Sequence, residues 1–242
     1  MPDTHAIIVG SGFDGFIEDT PGEMIATPYG EPSAALRKMS MGRHDVVVLP
    51  RHGDEHSLPP HAINYRANMA ALSQLQVDSV IALNTVGVIT HVCEPGQLAL
   101  PDQLLDYTWG RAHTIYDGGG QVEHIDFTEP FSSRLRSALV DAAMRAGIAC
   151  HAGGVYATTQ GPRLETAAEI DRLQRDGADF VGMTAMPEAA LARELGLEYA
   201  CLALIVNRAA GRGDVPIHDD VEASTVEARL QATRTLKQYF DA

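Results

Sequence analysis

Basic residues are scarce in this 242-residue sequence: 18 Lys and Arg stand against 32 Asp and Glu, a formal net charge of −14. Nucleic acids and anionic membranes are gripped by basic footprints, so neither is expected as the main partner. That deficit is an average. It leaves room for a small positive pocket, built from a few side chains and backbone amides, inside an acidic shell. Cysteine is rarer still. Cys93, Cys150 and Cys201 are odd in number, far apart and form no CxxC pair, which argues against a disulfide framework or a zinc site and for buried thiols in a cytoplasmic protein. No apolar run approaches the roughly 18–20 residues of a membrane span. The start, Met1-Pro2-Asp3-Thr4-His5, lacks the basic-then-apolar order of a secretory signal. Also missing is any convincing Ser-His-Asp or Cys-His set for nucleophilic catalysis.

What the sequence does have is a hydrophobic fraction of 45%, arranged as short apolar runs rich in β-branched residues. They fall at 6–9, 46–49, 80–83, 155–158, 180–183 and 199–206, most ending in Gly or a small polar residue. Continuous apolar runs of this length are the mark of strands buried on both faces. Helical spacing of apolar residues appears at 62–75, 131–146, 167–173 and 187–195. Pro187 and Glu188 suit a helix first turn, the proline needing no amide partner and the acid complementing the dipole. A closing amphipathic helix is expected over 221–240, with Val221, Val226, Leu230, Thr233 and Leu236 on one face. Strands alternating with helices imply an α/β fold, a central mostly parallel or mixed sheet flanked by helices. The one interruption, 110–124, contains Gly118, Gly119 and Gly120 and reads as a loop or hairpin. No composition shift marks a linker, so 1–242 is expected to be a single domain.

Polar clusters follow the strands, where α/β sheets collect their chemistry. Gly10, Gly12 and Gly15 spell GxGxxG, but the segment 16–20 runs into Pro21 and Gly22 and the next strand begins only at Val46. The βαβ unit of a dinucleotide site is therefore missing. A Gly-Ser-Gly turn still exposes amides and the Ser11 hydroxyl to an isolated anion. Arg51 offers a planar fork of donors suited to phosphate, His52 a further donor, and Gly53 a close backbone approach. His52 and His56 have i,i+4 spacing, yet Gly53, Pro59 and Pro60 argue against a helix that would hold both on a metal. Taken alone, an Arg-His pair at a strand end is more often a surface charge than a site. Thr85, Val86 and Gly87 follow the third run, and Thr159 to Glu165 the fourth. Glu165 is either a first-turn carboxylate or an acceptor for a ligand N–H. Met183-Thr184 and Asn207-Arg208-Ala209 complete the series, although a strand-end Asn by itself is usually a turn former.

In this order the clusters resemble the trimeric purine nucleoside phosphorylase and methylthioadenosine phosphorylase family. The resemblance rests on Gly10-Ser11-Gly12, Arg51-His52-Gly53, Asn64-Tyr65-Arg66-Ala67-Asn68, Thr85-Val86-Gly87, Gly161-Pro162-Arg163-Leu164-Glu165-Thr166 and Met183-Thr184-Ala185-Met186-Pro187-Glu188. It spans about His5 to Asn207; beyond that the match is loose. It implies the nucleoside phosphorylase fold, a homotrimer, and phosphorolysis of a purine nucleoside with inorganic phosphate as co-substrate and neither metal nor organic cofactor. Ser11, Arg51, His52, Thr85, Val86 and Thr184 would hold phosphate, and Met183 would lie under the ribose. Glu165, Asn207, Arg208 and Ala209 would border the base, and Leu164 would contact the substrate. His124, from the same or a neighbouring subunit, would border the 5′ pocket, with Val226 and Leu230 as candidates for its apolar wall. Asn207 and His52 would be the catalytic pair.

One departure bears on the substrate. Adenine-type members carry Asp at the base-contacting positions, where this sequence has Asn207 and Ala209. An Asn amide donates to a 6-oxo group while its carbonyl accepts from a protonated N7. Glu165 stands where 6-oxopurine phosphorylases accept N1–H, and adenine has no hydrogen there, so the carboxylate would be left unpaired. The Arg-His-Gly form and His124-Ile125 before Glu129-Pro130-Phe131 look like the methylthio branch. Together they imply S-methyl-5′-thioinosine as substrate. Inosine or guanosine phosphorolysis, methylthioadenosine phosphorolysis, hydrolysis by water and purine binding without turnover are the alternatives.

Overall fold

The computed structural model describes residues 4–11, 13, 20–118, 120, 122–214 and 216–242, and at 218–220 the backbone alone. Among the described residues ten strands form one mixed sheet: β1 (His5–Val9), β2 (Arg37–Met41), β3 (His44–Pro50), β4 (Ser79–Val88), β5 (Leu98–Leu100), β6 (Gln103–Asp106), β7 (Cys150–Ala152), β8 (Val155–Thr158), β9 (Phe180–Gly182) and β10 (Glu198–Arg208). The helices are α1 (Tyr65–Gln74), α2 (Ser133–Arg145), α3 (Ala167–Arg175), α4 (Ala185–Glu194) and α5 (Ile217–Phe240).

The main path of the sheet runs β2-β3-β1-β4-β10-β5-β7. Its centre is parallel: β1 pairs with β3 and β4, and β10 with β4. Along β4 and β10 the side chains alternate between two cores. Val80, Ala82, Cys201 and Ala203 face one, Ile81, Leu83, Leu202 and Leu204 the other. The first core is closed by α1 and α4, the second by α2 and α5. With both faces covered, every central position must be apolar, which is why these strands read as unbroken runs. The end of β4 forks: Gly87 and Val88 pair antiparallel with β9, which carries β8 and β6 beside it.

Four short strands lack a sequence signal. β2 is an edge strand whose residues alternate between exposed and half-buried, and β5, β6 and β7 have three or four residues each. The stretch 107–132 is a loop rather than a hairpin, with no helix or strand among its described residues. The face expected for α5 is largely corrected. Its buried side is Ala228, Ala232, Thr235, Leu236 and Phe240, whereas Val226 and Leu230 are 46% and 53% exposed. At 100° per residue the positions 226, 230 and 233 fall opposite 228, 232 and 235. The alanines, being small, let the helix approach β10 closely. Cys93 and Cys201 are buried and Cys150 is half-buried, all three as free thiols. Among the described residues, no helix is long and apolar enough to cross a membrane.

Candidate active site

Because β1, β3, β4 and β10 are parallel and in register, their carboxyl ends meet at one edge. Val9 lies beside Pro50, Ile8 beside Ala82, and Ile205 beside Val86. The turns after β1 and β3 bring Ser11, Arg51 and His52, and the last residues of β4 bring Thr85 and Val86, into one cavity of about 400 Å³, within the usual range for a small-molecule site. Antiparallel β9 delivers Met183 and Thr184 to the same cavity, and Leu164, Glu165, Asn207 and Ala209 line it too. A bulge in β10, where the register with β4 shifts between Ile205 and Asn207, sets the aim of the Asn207 side chain. Gly87 makes room for it: a Cβ there would lie 3.0 Å from Asn207 Nδ2. Gly10 and Ser11 belong to the cavity, while Gly12 and Gly15 lie outside the described residues.

Arg51 is almost completely buried, and its carboxylate partner Glu188 is wholly so. Nε and Nη2 donate to the two carboxylate oxygens at 2.8 and 2.9 Å, Nη1 to Leu83 O and Nη2 also to Asn84 Oδ1. Four of five donors are thereby taken, leaving one N–H on Nη1, the atom that a Cβ on Gly10 would crowd at 2.7 Å. Burial alone would lower the Arg51 pKa; the charge and hydrogen bonds of Glu188 outweigh it and hold the guanidinium above its ordinary value. Tyr199 Oη donates to Glu188 Oε2, and Asn84 Nδ2 donates to Thr184 Oγ1. One network therefore ties Arg51 to the hydroxyl of Thr184. Glu188, expected only to complement a helix dipole, is the anchor of that network.

His52 departs from expectation as well. Its Nδ1 lies 2.8 Å from the carbonyl of Leu58, which can only accept, so Nδ1 carries the hydrogen and Nε2 is a bare acceptor. Burial, then the neighbouring Arg51, push the imidazole down to about 4, so at neutral pH it is neutral. The local positive pocket expected from Arg51 and His52 is thus corrected: one charge is cancelled by Glu188 and the other does not form. His56 stacks on His52 at 4.4 Å between ring centroids, and its Nε2 is 3.2 Å from Ser11 Oγ. What the cavity offers an anion is N–H and O–H dipoles more than net charge.

On the other side, Thr159 Oγ1 donates to Glu165 Oε1 at 2.5 Å, and Oε2 has no hydrogen-bond partner among the described residues. Asn207 Nδ2 donates to the carbonyl of Arg208 at 2.7 Å. A carbonyl cannot bond a carbonyl, so this contact sets the amide orientation, with Oδ1 and one N–H left for a ligand.

Four expected site residues do not line the cavity of this chain. The Arg208 guanidinium turns away to pair with Glu94. His124 is exposed on the 107–132 loop, and Val226 is exposed with Leu230 on the outer face of α5. Instead α5 contributes Ile217 and Val221, joined by Pro60 and Val181. Val221 carries a sequence signal, since it opens the apolar spacing of α5; Pro60 and Val181 carry none. The Asn64–Asn68 motif is architectural: Asn64 caps α1, and buried Asn68 holds Ser33.

The family model described as the phosphorylase superfamily matches residues 4–241. A probable S-methyl-5′-thioinosine phosphorylase of Xanthomonas campestris pv. campestris is 58% identical over 78% of this chain and 76% of its own. A 6-oxopurine nucleoside phosphorylase of Pyrococcus furiosus is 45% identical over 85% of this chain and 80% of its own. Among solved structures, methylthioadenosine phosphorylase from Schistosoma mansoni in complex with adenine superposes with a TM-score of 0.90 and 32% identity, covering 98% of this chain and 91% of that one.

Proposed function

The chain belongs to the phosphorylase superfamily, and from that premise we propose that it catalyses phosphorolysis of S-methyl-5′-thioinosine to hypoxanthine and 5-methylthioribose 1-phosphate. The observation that carries the base assignment is the oriented Asn207 amide in the same cavity as Glu165. Oδ1 accepts from N7–H, the remaining N–H donates to a 6-oxo oxygen, and Glu165 Oε2 accepts N1–H. A 6-aminopurine would set donor against donor at position 6 and leave Glu165 unpaired. Ile217 and Val221 supply the apolar wall for a 5′ thioether.

Phosphate takes the cavity floor between Ser11, Thr85, the Val86 main chain and Thr184, with the free Nη1–H of Arg51 as one more donor. His52 Nε2 accepts a hydrogen bond from the hydroxyl of hydrogenphosphate and stays neutral. A phosphate oxygen then attacks C1′ as the glycosidic bond breaks through an oxocarbenium-like state. The bonding pair leaves with the base, whose N7, held by Asn207, takes up a proton from water, and the sugar phosphate ester formed gives its remaining hydroxyl proton back to water. Preorganised dipoles and positioning supply the rate enhancement without a protein nucleophile. The same reading makes the protein a cytoplasmic homotrimer that needs no metal or organic cofactor, with the exposed His124 loop of one subunit bordering its neighbour's 5′ pocket.

Product formation from methylthioinosine, inosine, guanosine and methylthioadenosine, each with and without phosphate, tests this. The expected result is phosphate-dependent release of hypoxanthine with the highest kcat/KM on methylthioinosine. A preference for inosine overturns the 5′ assignment, a preference for methylthioadenosine the base assignment, and cleavage undiminished without phosphate the reaction type.

A further inference from the structure

Arg111 is the charged group that the chemistry above leaves unused. It lies in the loop after β6 and is 9% exposed. Nη1 donates to the carbonyls of Met183 and Met186 at 2.8 and 2.6 Å; Nη2 donates to those of Gln160 and Thr159 at 2.9 and 3.3 Å. Nη1 is also 3.3 Å from Tyr65 Oη, and the guanidinium centre is 5.4 Å from that ring's centroid. Nε is buried without a hydrogen-bond partner among the described residues. Every acceptor that Arg111 meets is neutral, in contrast to Arg51, whose fork is spent on Glu188.

The four carbonyls belong to two loops with different tasks. Thr159 and Gln160 open the turn that leads to Glu165, and Thr159 itself holds that carboxylate. Met183 and Met186 flank Thr184 and lead directly to Glu188. The backbone of each loop is therefore fixed by one half of a rigid planar group. Hydrogen bonds from an ionised donor are roughly twice as strong as neutral ones, and the guanidinium plane sets direction as well as distance.

We propose that Arg111 is a positioning residue for phosphorolysis, a clamp that sets the separation of the base loop and the phosphate loop and thereby couples binding in the two subsites. The proposal rests on the assignment of Glu165 to the base and Thr184 to phosphate. A displacement of about 1 Å in a reacting geometry costs on the order of 100-fold in rate, so loosening this clamp acts on kcat more than on either KM. Lysine keeps the charge but is a point donor on a flexible stem and cannot hold both loops in one plane.

The test compares wild type with Arg111→Lys and Arg111→Met in the full chain, reading kcat, both KM values, and the affinity for hypoxanthine with and without phosphate by calorimetry. The expected result in the wild type is that phosphate tightens hypoxanthine binding about tenfold. In Arg111→Lys, which keeps its folded circular-dichroism spectrum, kcat falls about 10- to 100-fold and phosphate no longer tightens hypoxanthine binding. Arg111→Met shows the same loss of coupling. Wild-type kcat per folded site in both variants overturns the proposal, as does undiminished coupling or its absence from the wild type. The underlying site assignment is checked separately by Glu165→Gln: an unchanged 6-oxo to 6-amino preference removes that assignment whatever Arg111 does.

Discussion

Replacing Glu188 by Gln takes one charge out of a buried pair and leaves the side-chain volume nearly unchanged. The carboxylate accepts from Arg51 Nε at 2.8 Å, from Arg51 Nη2 at 2.9 Å and from Tyr199 Oη at 2.8 Å. A Gln amide has one oxygen, so its NH₂ must face an N–H or O–H donor. Removing one partner of such a pair typically costs about 3–5 kcal/mol, because the other charge remains buried without compensation. Exposures of 1% and 0% for the two side chains place this case toward the upper end. Coulomb's law gives the same scale, about 4 kcal/mol for unit charges near 4 Å at an effective dielectric of 20. Against a total stability of about 5–15 kcal/mol this is a large fraction. For a chain of this size it corresponds to a Tm lower by roughly 6–20 °C. The assay is thermal and urea unfolding at one fixed protomer concentration, since association makes Tm concentration-dependent. Activity gives a second reading: with its fork released, Arg51 re-aims, and the KM for phosphate rises about tenfold or more while that for nucleoside changes less. The double replacement Arg51→Met, Glu188→Leu restores much of the stability, because an apolar pair needs no compensation, but not the activity. A loss below about 1 kcal/mol together with an unchanged phosphate KM would refute this account of the pair.

Asn207→Asp removes both amide N–H donors, so a 6-oxo group loses its partner; protonated, the carboxyl has a single O–H, which donates to N7 while its carbonyl oxygen accepts from a 6-amino group. The kcat/KM ratio of methylthioinosine over methylthioadenosine should fall by about 100-fold, and an unaltered ratio sinks the base-recognition scheme. His52 makes stability depend on pH: its folded pKa is about 4 against 6.5 for the free side chain, so the unfolded chain binds more protons between those values. Stability is then full above about pH 6.5 and falls by up to about 3 kcal/mol as pH drops toward 4. Urea unfolding of wild type and His52→Gln over that window checks this, and parallel curves exclude it. Thr159→Val removes the donor that orients Glu165, lowering kcat/KM on 6-oxopurine nucleosides about 10-fold for a lost hydrogen bond to a charged group. Thr159→Ser restores it, and equal values for Val and Ser would show the hydroxyl to be idle.

Period and residue type carried the sequence reading a long way. The continuous apolar runs at 80–83 and 199–206 determine that β4 and β10 are covered on both faces, hence an α/β sandwich with its polar clusters at one edge. Ser11, Arg51, His52, Thr85, Thr184, Glu165 and Asn207 are visible for the same reason, each a polar group placed just beyond or at the end of an apolar element. Short elements such as β5 and β7 escaped, since three residues hold no measurable period. On α5 the expected stripe took the largest apolar residues as the buried ones, whereas close packing against β10 selected alanines.

The tertiary structure alone decided which polar groups meet, and therefore what each one does. Arg51 and Glu188 stand 137 positions apart, and nothing local distinguishes Glu188 from an ordinary first-turn acid. His52 looks like a donor by type, but the Leu58 carbonyl and burial make it a neutral acceptor. Arg111 has no neighbouring motif at all, because its partners are main-chain carbonyls 48 to 75 positions away. Side-chain chemistry is written residue by residue, but charge state, tautomer and amide orientation are set by what lies within about 3 Å. That neighbourhood exists only once the chain has closed on itself.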